Sequence, residues 1–448
     1  MSNTQENKMG VMKINKLLIT MSLPLMASML VQALYNIVDS IFVAIYAQEA
    51  LTAVSLTFPI QSLMIALASG TGVGINSILS RRLGERRFKE ANKTAQNGIL
   101  VGVLTAVIFS VLSIFIAKFF FEIFTDDAKT AEMGRIYMLT CSTLSLGIFM
   151  QIIFERLLQS TGKTFYIMIS QGVGAITNII LDPIFIFGLF GFPKMGIFGA
   201  ALATVTGQWF AMLLGLYFNV KKNKEISFSF KGFRPDSRII KDIYCIGIPS
   251  IIMQSLMSVM TMSMNKILAS DDAISVLGIY FKIQSFIFMP IFGLNNALVP
   301  IVAYNYGAKN KERIVKVLKL ATIICCSIMA VGTTAFMIFP KLFLAMFNAN
   351  ENMYTLGVPA LRIISSSFVV SGVSIVICSA FQALGDAFIS MVISILRQLF
   401  LVIPFAFILK TFWGFPAVWA AIPLAEFVAV FMCAFAYRKT YKKKIATL

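Results

Sequence analysis

Two aspartates in the first half of the chain lie inside long apolar stretches, and each has an asparagine at helical spacing. Asn36 precedes Asp39 by three positions and Asn178 precedes Asp182 by four, so each pair shares one face of a helix. A proline in each stretch would leave one backbone carbonyl without its helical donor. Carboxylates, amides and free carbonyls are the groups that bind hard cations or relay protons. These residues predict a cation- or proton-coupling site; the alternative is a pair of structural carboxylates satisfied locally.

The two aspartates are predicted to lie at similar depths in the membrane. Asp39 is 23 residues from the basic flank at Lys16, and Asp182 is 19 residues from Lys163. At 1.5 Å per residue the depths differ by about 6 Å, which places both acids in the outer half of the bilayer. Two nearby carboxylates in surroundings of low polarity favour sharing one proton.

The second half of the chain carries a different set of charges inside its apolar stretches. Lys282, Arg397 and Glu426 are each predicted near the middle of a helix, and Glu426 aligns with Gln208 of the first half. An ion pair between Glu426 and Lys282 or Arg397 would limit the cost of removing these charges from water. These charged residues could form a structural ion pair or a substrate or gating site, and the sequence leaves both alternatives open.

Other kinds of chemistry have little support in the sequence. The chain has no histidine, and its six cysteines all lie in apolar stretches without metal-ligand spacing, which favours packing roles. Residues 160–164 resemble the end of a phosphate-binding loop, but Leu157 stands where that loop needs glycine. Glu155, Arg156 and Asp242 are interpreted as interfacial residues near cytoplasmic helix ends. An enzyme is therefore not expected.

The elements that position these residues are membrane helices. Hydrophobic residues make up 58% of the 448 residues and charged residues 13%, about half the charged share of soluble domains. Apolar stretches of 20 or more residues span a bilayer as helices. The sequence predicts an all-α polytopic membrane protein with twelve transmembrane helices, at 17–45, 51–79, 95–117, 135–158, 165–188, 197–220, 243–268, 273–301, 315–340, 354–380, 387–410 and 415–437.

Positive charge is concentrated on alternate loops. With the N-terminus inside, 28 of the 38 Lys and Arg residues fall on cytoplasmic segments, which fits the positive-inside rule for both termini in the cytoplasm. The net charge of +18 is thus a topology signal and a contact for anionic membrane lipids, and no nucleic-acid partner is expected. The predicted segments are a cytoplasmic N-terminus at 1–16, an N-lobe at 17–220, a cytoplasmic linker at 221–242, a C-lobe at 243–437 and a basic tail at 438–448.

The two halves of the chain repeat each other. An offset of 223 residues relates Gln61-Ser62 to Gln284-Ser285, and Gly191-Phe192-Pro193 to Gly414-Phe415-Pro416. Because each repeat has six helices, both halves insert in the same orientation, as two bundles related by an axis along the membrane normal. The acids are not repeated: Met264 stands at the position of Asp39, at the offset of 225 that also relates Pro24 to Pro249, and Phe405 stands at that of Asp182 at the offset of 223. Packing of the repeat therefore does not require them.

The chain resembles the MATE (multidrug and toxic compound extrusion) transporters over nearly its whole length, and most closely those of Gram-positive bacteria. The stretch from Asn178 to Ile184, Asn-x-x-x-Asp-Pro-Ile, is the most specific motif. The other matching motifs are Leu23-Pro24, Asn36-x-x-Asp39, Arg81-Arg82-Leu83-Gly84, Gln159-x-x-Gly162, Gly199-Ala200-Ala201 with Thr204, and Ala303-Tyr304-Asn305-Tyr306-Gly307.

The resemblance implies a two-lobed exporter that exchanges H⁺ or Na⁺ for cationic, aromatic drugs. It assigns the coupling site to Asp39, Asn178, Asp182 and Thr204, with Asn36 beside them, and makes the first four candidate Na⁺ ligands. Some members also have an acidic Na⁺ site on helices 7 and 10 of the second lobe. Here those helices offer Gln254 and Ser371 without an acid, so coupling through the first lobe is favoured.

The sequence thus predicts a monomeric plasma-membrane antiporter for small organic cations, with no cofactor beyond the coupling ion, H⁺ or Na⁺. One rival is a flippase for lipid-linked oligosaccharides on the same scaffold, which would line its cavity with arginines for pyrophosphate. Only Arg397 and Lys282 lie within helices to serve that purpose. A channel or receptor is the other rival, and the repeated, proline-interrupted helices argue against it.

Overall fold

The protein is described by a computed structural model covering residues 7–228, 231–347 and 349–448, without the side chains of Lys118 and Glu122. Residues 1–6 of the predicted N-terminus and 229–230 of the predicted linker lie outside it. The described residues form helices and no strands. Within the described ranges, ten helices are long and apolar enough to cross a membrane, and two bent helix pairs bring the number of candidate spans to as many as twelve.

Each predicted helix corresponds to one of these elements, and most extend beyond the predicted bounds by a turn or two. We number them in chain order: α1 Ile14–Tyr46, α2 Gln48–Gly84, α3 Phe88–Phe124, α4 Ala128–Thr143 with Leu146–Ser160, α5 Thr164–Phe187, α6 Ile197–Lys222, α7 Ser237–Leu268, α8 Asp271–Gly307, α9 Lys311–Ile338, α10 Glu351–Ser365 with Phe368–Ala383, α11 Ala387–Trp413 and α12 Phe415–Ile445.

The helices α4 and α10 are bent at equivalent places in the two repeats, by 45° and 46°. At each bend, a hydroxyl group from the preceding helix donates a hydrogen bond to a backbone carbonyl. Ser110 Oγ donates to the Ser142 carbonyl at 2.9 Å, and Thr333 Oγ1 donates to the Ser365 carbonyl at 3.0 Å. Both pairs are related by the offset of 223, so the repeat extends to the hydrogen bonds that satisfy interrupted helices.

Contacts group the chain into two compact units that divide it within α1 and α7. One unit is Met1–Met26 with Ile252–Leu448, and the other is Ala27–Ile251. Each division falls two residues after a helix-interior proline, Pro24 or Pro249. The first part of each helix therefore packs with the repeat to which it does not belong in sequence. The predicted lobes at 17–220 and 243–437 instead divide the chain in the loop between two helices. These lobes and their orientation in the membrane stay a prediction.

Glycines on α2 and α8 permit this packing. A Cβ atom built on Gly74 would lie 2.2 Å from the Ile243 carbonyl oxygen, and one built on Gly70 would lie 2.8 Å from the Ile251 backbone nitrogen. Gly293, the repeat partner of Gly70, is equally close to Met26 in its own unit, at 2.7 Å from the backbone nitrogen. The glycine-rich segment of α2 thus serves close packing of backbone against backbone.

Gly74→Ala is expected to destabilise the protein by about 1–3 kcal/mol, because the new methyl group meets a backbone carbonyl that cannot move aside. Gly172→Ala is the matched control, since a Cβ atom at Gly172 on α5 would meet nothing within 4 Å. The apparent melting temperature in detergent, followed by size-exclusion chromatography after heating, compares the two. A loss of stability that is equal in both variants would contradict the packing role of Gly74.

Candidate functional site

The candidate site is organised by a close crossing of α5 and α6. A Cβ atom built on Gly207 would lie 2.6 Å from the Gly174 carbonyl oxygen, and one built on Gly174 would lie 2.9 Å from that of Gly207. Larger residues would separate the two backbones. Asn178 and Thr204 each lie about one helical turn from this crossing, and their side chains meet across it.

Asn178 links the two helices through its side-chain amide. In the orientation that satisfies both ends of the amide, its nitrogen donates to Asp182 Oδ2 at 3.2 Å. Its oxygen then accepts from the Thr204 hydroxyl at 3.3 Å and from the Thr204 backbone N–H at 3.2 Å. The amide is buried, with 2% of its residue surface exposed. Asn178 therefore fixes the position of the Asp182 carboxyl group relative to α6.

Asp182 and Asp39 lie next to each other, with their carboxyl groups within reach of a hydrogen bond. Asp182 is fully buried and Asp39 is 9% exposed. Asp39 Oδ1 is buried and has no hydrogen-bond partner among the described residues. A hydrogen bond between two carboxyl groups needs a proton, since two carboxylates offer only acceptors. The structure therefore brings together the two predicted acids, from α1 and α5, in an arrangement suited to holding a proton.

Several polar residues that surround this pair were not predicted from the sequence. The Tyr137 hydroxyl lies near the side chains of Gln61 and Thr204, and the Cys141 thiol lies near those of Gln61 and Tyr137. Tyr137 and Cys141 share the first half of α4 and are buried. The sequence pattern that could have identified them is the helical spacing of four between Tyr137 and Cys141, together with the polar residue Gln61 in an apolar helix.

Two other predicted residues have different positions. Asn36 is exposed, and its side chain makes no hydrogen bond to Asp182, Asn178 or Thr204 in the described part of the chain. Gln208 lines a cavity of about 50 Å³, which Asn178 and Thr204 also line. The remaining polar side chains of this cavity include four from α1, α4 and α5: Gln32, Tyr35, Gln151 and Gln171.

In the second half of the chain, Arg397 and Glu426 form an ion pair. Arg397 Nη1 lies 3.0 Å from Glu426 Oε1 and 3.3 Å from Oε2. Arg397 belongs to a π-helical segment of α11, Leu396–Val402; such segments are rare and often occur at functional sites. Lys282 does not join this pair: its ammonium group lies 5.6 Å from the centre of the Phe347 ring. Of the two predicted pairings of Glu426, the one with Arg397 is the one present.

The residues interpreted as interfacial differ among themselves. Asp242 lies 3.8 Å from the Arg82 guanidinium, as interfacial pairing predicts. Glu155 instead is 7% exposed and accepts hydrogen bonds from two glutamine amides. The interpretation of Glu155 as a snorkelling or ion-paired residue is therefore wrong.

Comparison with known proteins agrees with this geometry. The MatE family model matches residues 24–184 and again residues 248–408. The chain belongs to the MATE family. The two matches begin 224 residues apart, in line with the internal repeat, and each contains one of the two bent helices. Together with the apolar helices, membership of this family makes the chain a multi-pass membrane protein.

Known MATE relatives cover almost the full chain. The multidrug export protein MepA of Staphylococcus haemolyticus is 27% identical over 94% of this chain and 92% of its own. MepA of Staphylococcus aureus MSSA476 is 26% identical, over 92% and 90%. An outward-facing multidrug resistance MATE transporter superposes with a TM-score of 0.92 at 25% identity, covering 99% of both chains. So does a transporter of the MOP superfamily from Pyrococcus furiosus, for which the reversed polarity of the binding pocket suggests a different function.

Removing one partner of the Arg397–Glu426 pair is expected to lower the stability of this MATE protein. Breaking a fully buried pair costs about 3–5 kcal/mol, and a smaller loss is expected here because the side chains are 22% and 14% exposed. Arg397→Met and Glu426→Leu should each lower the melting temperature in detergent, and the double variant should recover part of the loss. Additive losses in the double variant would contradict an energetic coupling of the two side chains.

Proposed function

We propose that this MATE protein exports organic cations across the cell membrane in exchange for protons, with both termini in the cytoplasm. The observation that carries the proposal is that the Asp39 and Asp182 carboxyl groups lie within reach of a hydrogen bond from each other, beside Asn178 and Thr204. In this reading a proton from outside binds the pair, and its departure to the cytoplasm resets the cycle.

The contacts of the site favour a proton over Na⁺ as the coupling ion. A Na⁺ ion would be ligated by several oxygen atoms that surround it, as other hard cations are. The Asn178 oxygen, however, already accepts two hydrogen bonds from Thr204, and the Asn178 nitrogen points at Asp182. The two carboxyl groups meet each other directly, an arrangement that a shared proton stabilises. Exchange of Na⁺ at the same residues is the competing outcome of the test.

Organic cations are the substrate class that the charges and relatives support. The relatives that match almost the whole chain are named multidrug export proteins. The cavity beside the acids is lined by amide, hydroxyl and apolar groups, with no Lys or Arg among its described residues. The flippase alternative would need free arginines for pyrophosphate, yet the Arg397 guanidinium is paired with Glu426.

Exchange follows if the drug and the proton bind alternately to the protein during one transport cycle. A proton on the Asp39–Asp182 pair removes negative charge from the interior, and its release restores a charge that costs free energy to leave unpaired. Each ligand then shifts the population of conformations by its differential affinity for them. The protein contributes by holding both carboxyl groups close together, so that binding of one proton changes the net charge of the pair.

Asp39→Asn and Asp182→Asn are each expected to lower proton-driven ethidium efflux at least tenfold in proteoliposomes, since an amide cannot bind or release the proton. Melting temperatures measured in parallel show whether the variants fold. Asp242→Asn is the matched control, because that carboxylate lies at Arg82 and outside the site.

Imposed gradients decide which ion is exchanged. A pH gradient without Na⁺ should drive efflux by the wild-type protein, and a Na⁺ gradient at equal pH should not. Efflux driven by Na⁺ alone would overturn the proton assignment, and undiminished proton-driven efflux in both aspartate variants would overturn the site.

Thr204→Val is expected to slow proton-driven efflux by about 2- to 12-fold. The variant removes the hydroxyl that hydrogen-bonds Asn178, and such a bond contributes about 0.5–1.5 kcal/mol. Thr206→Val is the matched control on the same helix, because its hydroxyl donates to the Leu202 carbonyl within α6. Initial efflux rates of the two variants make the comparison, and equal rates would exclude a positioning role for Thr204.

A further inference from the structure

Glu155 is a buried carboxylate that the proposed coupling site does not use. It lies on the second half of α4 and is 7% exposed. Gln151 Nε2 donates to its Oε1 at 3.0 Å, and Gln171 Nε2 donates to its Oε2 at 2.7 Å. Both carboxylate oxygens therefore accept from neutral amides.

No lysine or arginine nitrogen lies within ion-pairing distance of Glu155 in the described part of the chain. The neighbouring Arg156 directs its guanidinium elsewhere, to Ser69 Oγ at 3.2 Å and to Gln159 Oε1 at 2.9 Å. A buried carboxylate held by neutral groups is costly unless its charge or its protonation serves a purpose. The surroundings of Glu155 are thus those of a group that can take up a proton.

The two glutamines that hold Glu155 also line the cavity shared by Asn178 and Thr204. One face of α5 carries Gln171, Asn178 and Asp182, because Asn178 follows Gln171 by seven positions and Asp182 follows it by eleven. At 1.5 Å per residue, Gln171 is about 10 Å from Asn178 along the helix and about 16 Å from Asp182. The cavity therefore connects the amides around Glu155 with the amide that binds Asp182.

The cavity can hold water between these two ends. A volume of about 50 Å³ has room for about three water molecules, at roughly 15 Å³ each. Its walls offer hydrogen-bonding partners along the way, among them Gln32, Gln208 and the Tyr35 hydroxyl. Tyr35 is the ionisable group of the cavity wall, and Arg156 is the charged neighbour of Glu155. Water held here would carry a proton along the cavity between Asn178 and the two glutamines; Asp182 and Glu155 lie behind these amides and are not among the lining residues.

We propose that Glu155 is a second proton station, which receives the proton of the Asp39–Asp182 pair through water held in this cavity, on its way to the cytoplasm. The O–H bond of the aspartate pair breaks, one O–H bond forms on Glu155, and each intervening water molecule accepts one proton and gives up another. The aspartate pair is left with the negative charge that Glu155 loses. This assignment rests on the proposed function and adds a residue to its path.

Glu155→Gln tests the station in proteoliposomes, because the amide keeps the size of the side chain and cannot bind the proton. Ethidium efflux driven by a pH gradient should fall at least tenfold. Ethidium counterflow at equal pH, which moves no net proton, should stay within twofold of the wild-type rate. Glu155→Asp keeps the carboxyl group and should recover most of the proton-driven rate. Glu225→Gln, at a carboxylate 3.3 Å from Lys163, is the matched control and should change neither rate.

Two results would overturn the proton station. Proton-driven efflux at the wild-type rate in Glu155→Gln would show that no proton passes through this residue. Loss of counterflow together with efflux, in both Glu155 variants, would assign Glu155 to packing. The proposed function fails separately, by undiminished proton-driven efflux in Asp39→Asn and Asp182→Asn.

Discussion

The burial of two carboxyl groups in apolar surroundings is the constraint on which the rest of the first repeat depends. An isolated carboxylate in such surroundings is too costly to keep, so every oxygen needs a donor or a proton. Asp182 obtains a donor from the Asn178 amide, and Asp39 obtains its contact from Asp182. These contacts require Asn178 to reach α6, which in turn requires the glycines where α5 and α6 cross. One electrostatic requirement thus explains the amide, the hydroxyl group and the glycines together.

The two repeats meet the cost of buried charge in different ways. The first places two acids next to each other, where a shared proton would neutralise part of their negative charge. The second pairs Arg397 with Glu426 at 3.0 Å, so that the two side chains neutralise each other. The scaffold beneath them is the same, down to the hydroxyl groups that satisfy the bends of α4 and α10. Because Met264 replaces Asp39 and is fully buried, the fold itself has no need of an acid there. This absence of a packing requirement is the argument for assigning the acids to the proposed exchange.

The helices could be predicted because their signal is local and repeated. An apolar stretch long enough to cross a bilayer identifies itself, and basic loops indicate its direction. The bends, the π-helical segment at Arg397 and the division within α1 and α7 could not be predicted, because each depends on contacts with other helices. The pairing of Asp39 with Asp182 was within reach, since both have similar depth. Its neighbours Gln61, Tyr137 and Cys141 were not, since their faces are fixed by the packing of α2 and α4.

Glu155 shows why depth along a helix is an incomplete guide to function. Counting from the cytoplasmic end at Ser160, Glu155 is five residues in, or about 8 Å, and that distance suits a snorkelling side chain. The count does not report which face of the helix carries the residue, or how the bend of 45° in α4 turns that face. The face is decided by Gln171, which approaches from α5 and donates to Glu155 at 2.7 Å. A carboxylate that accepts hydrogen bonds from two amides of the cavity wall is electrostatically part of the interior, whatever its distance from the helix end.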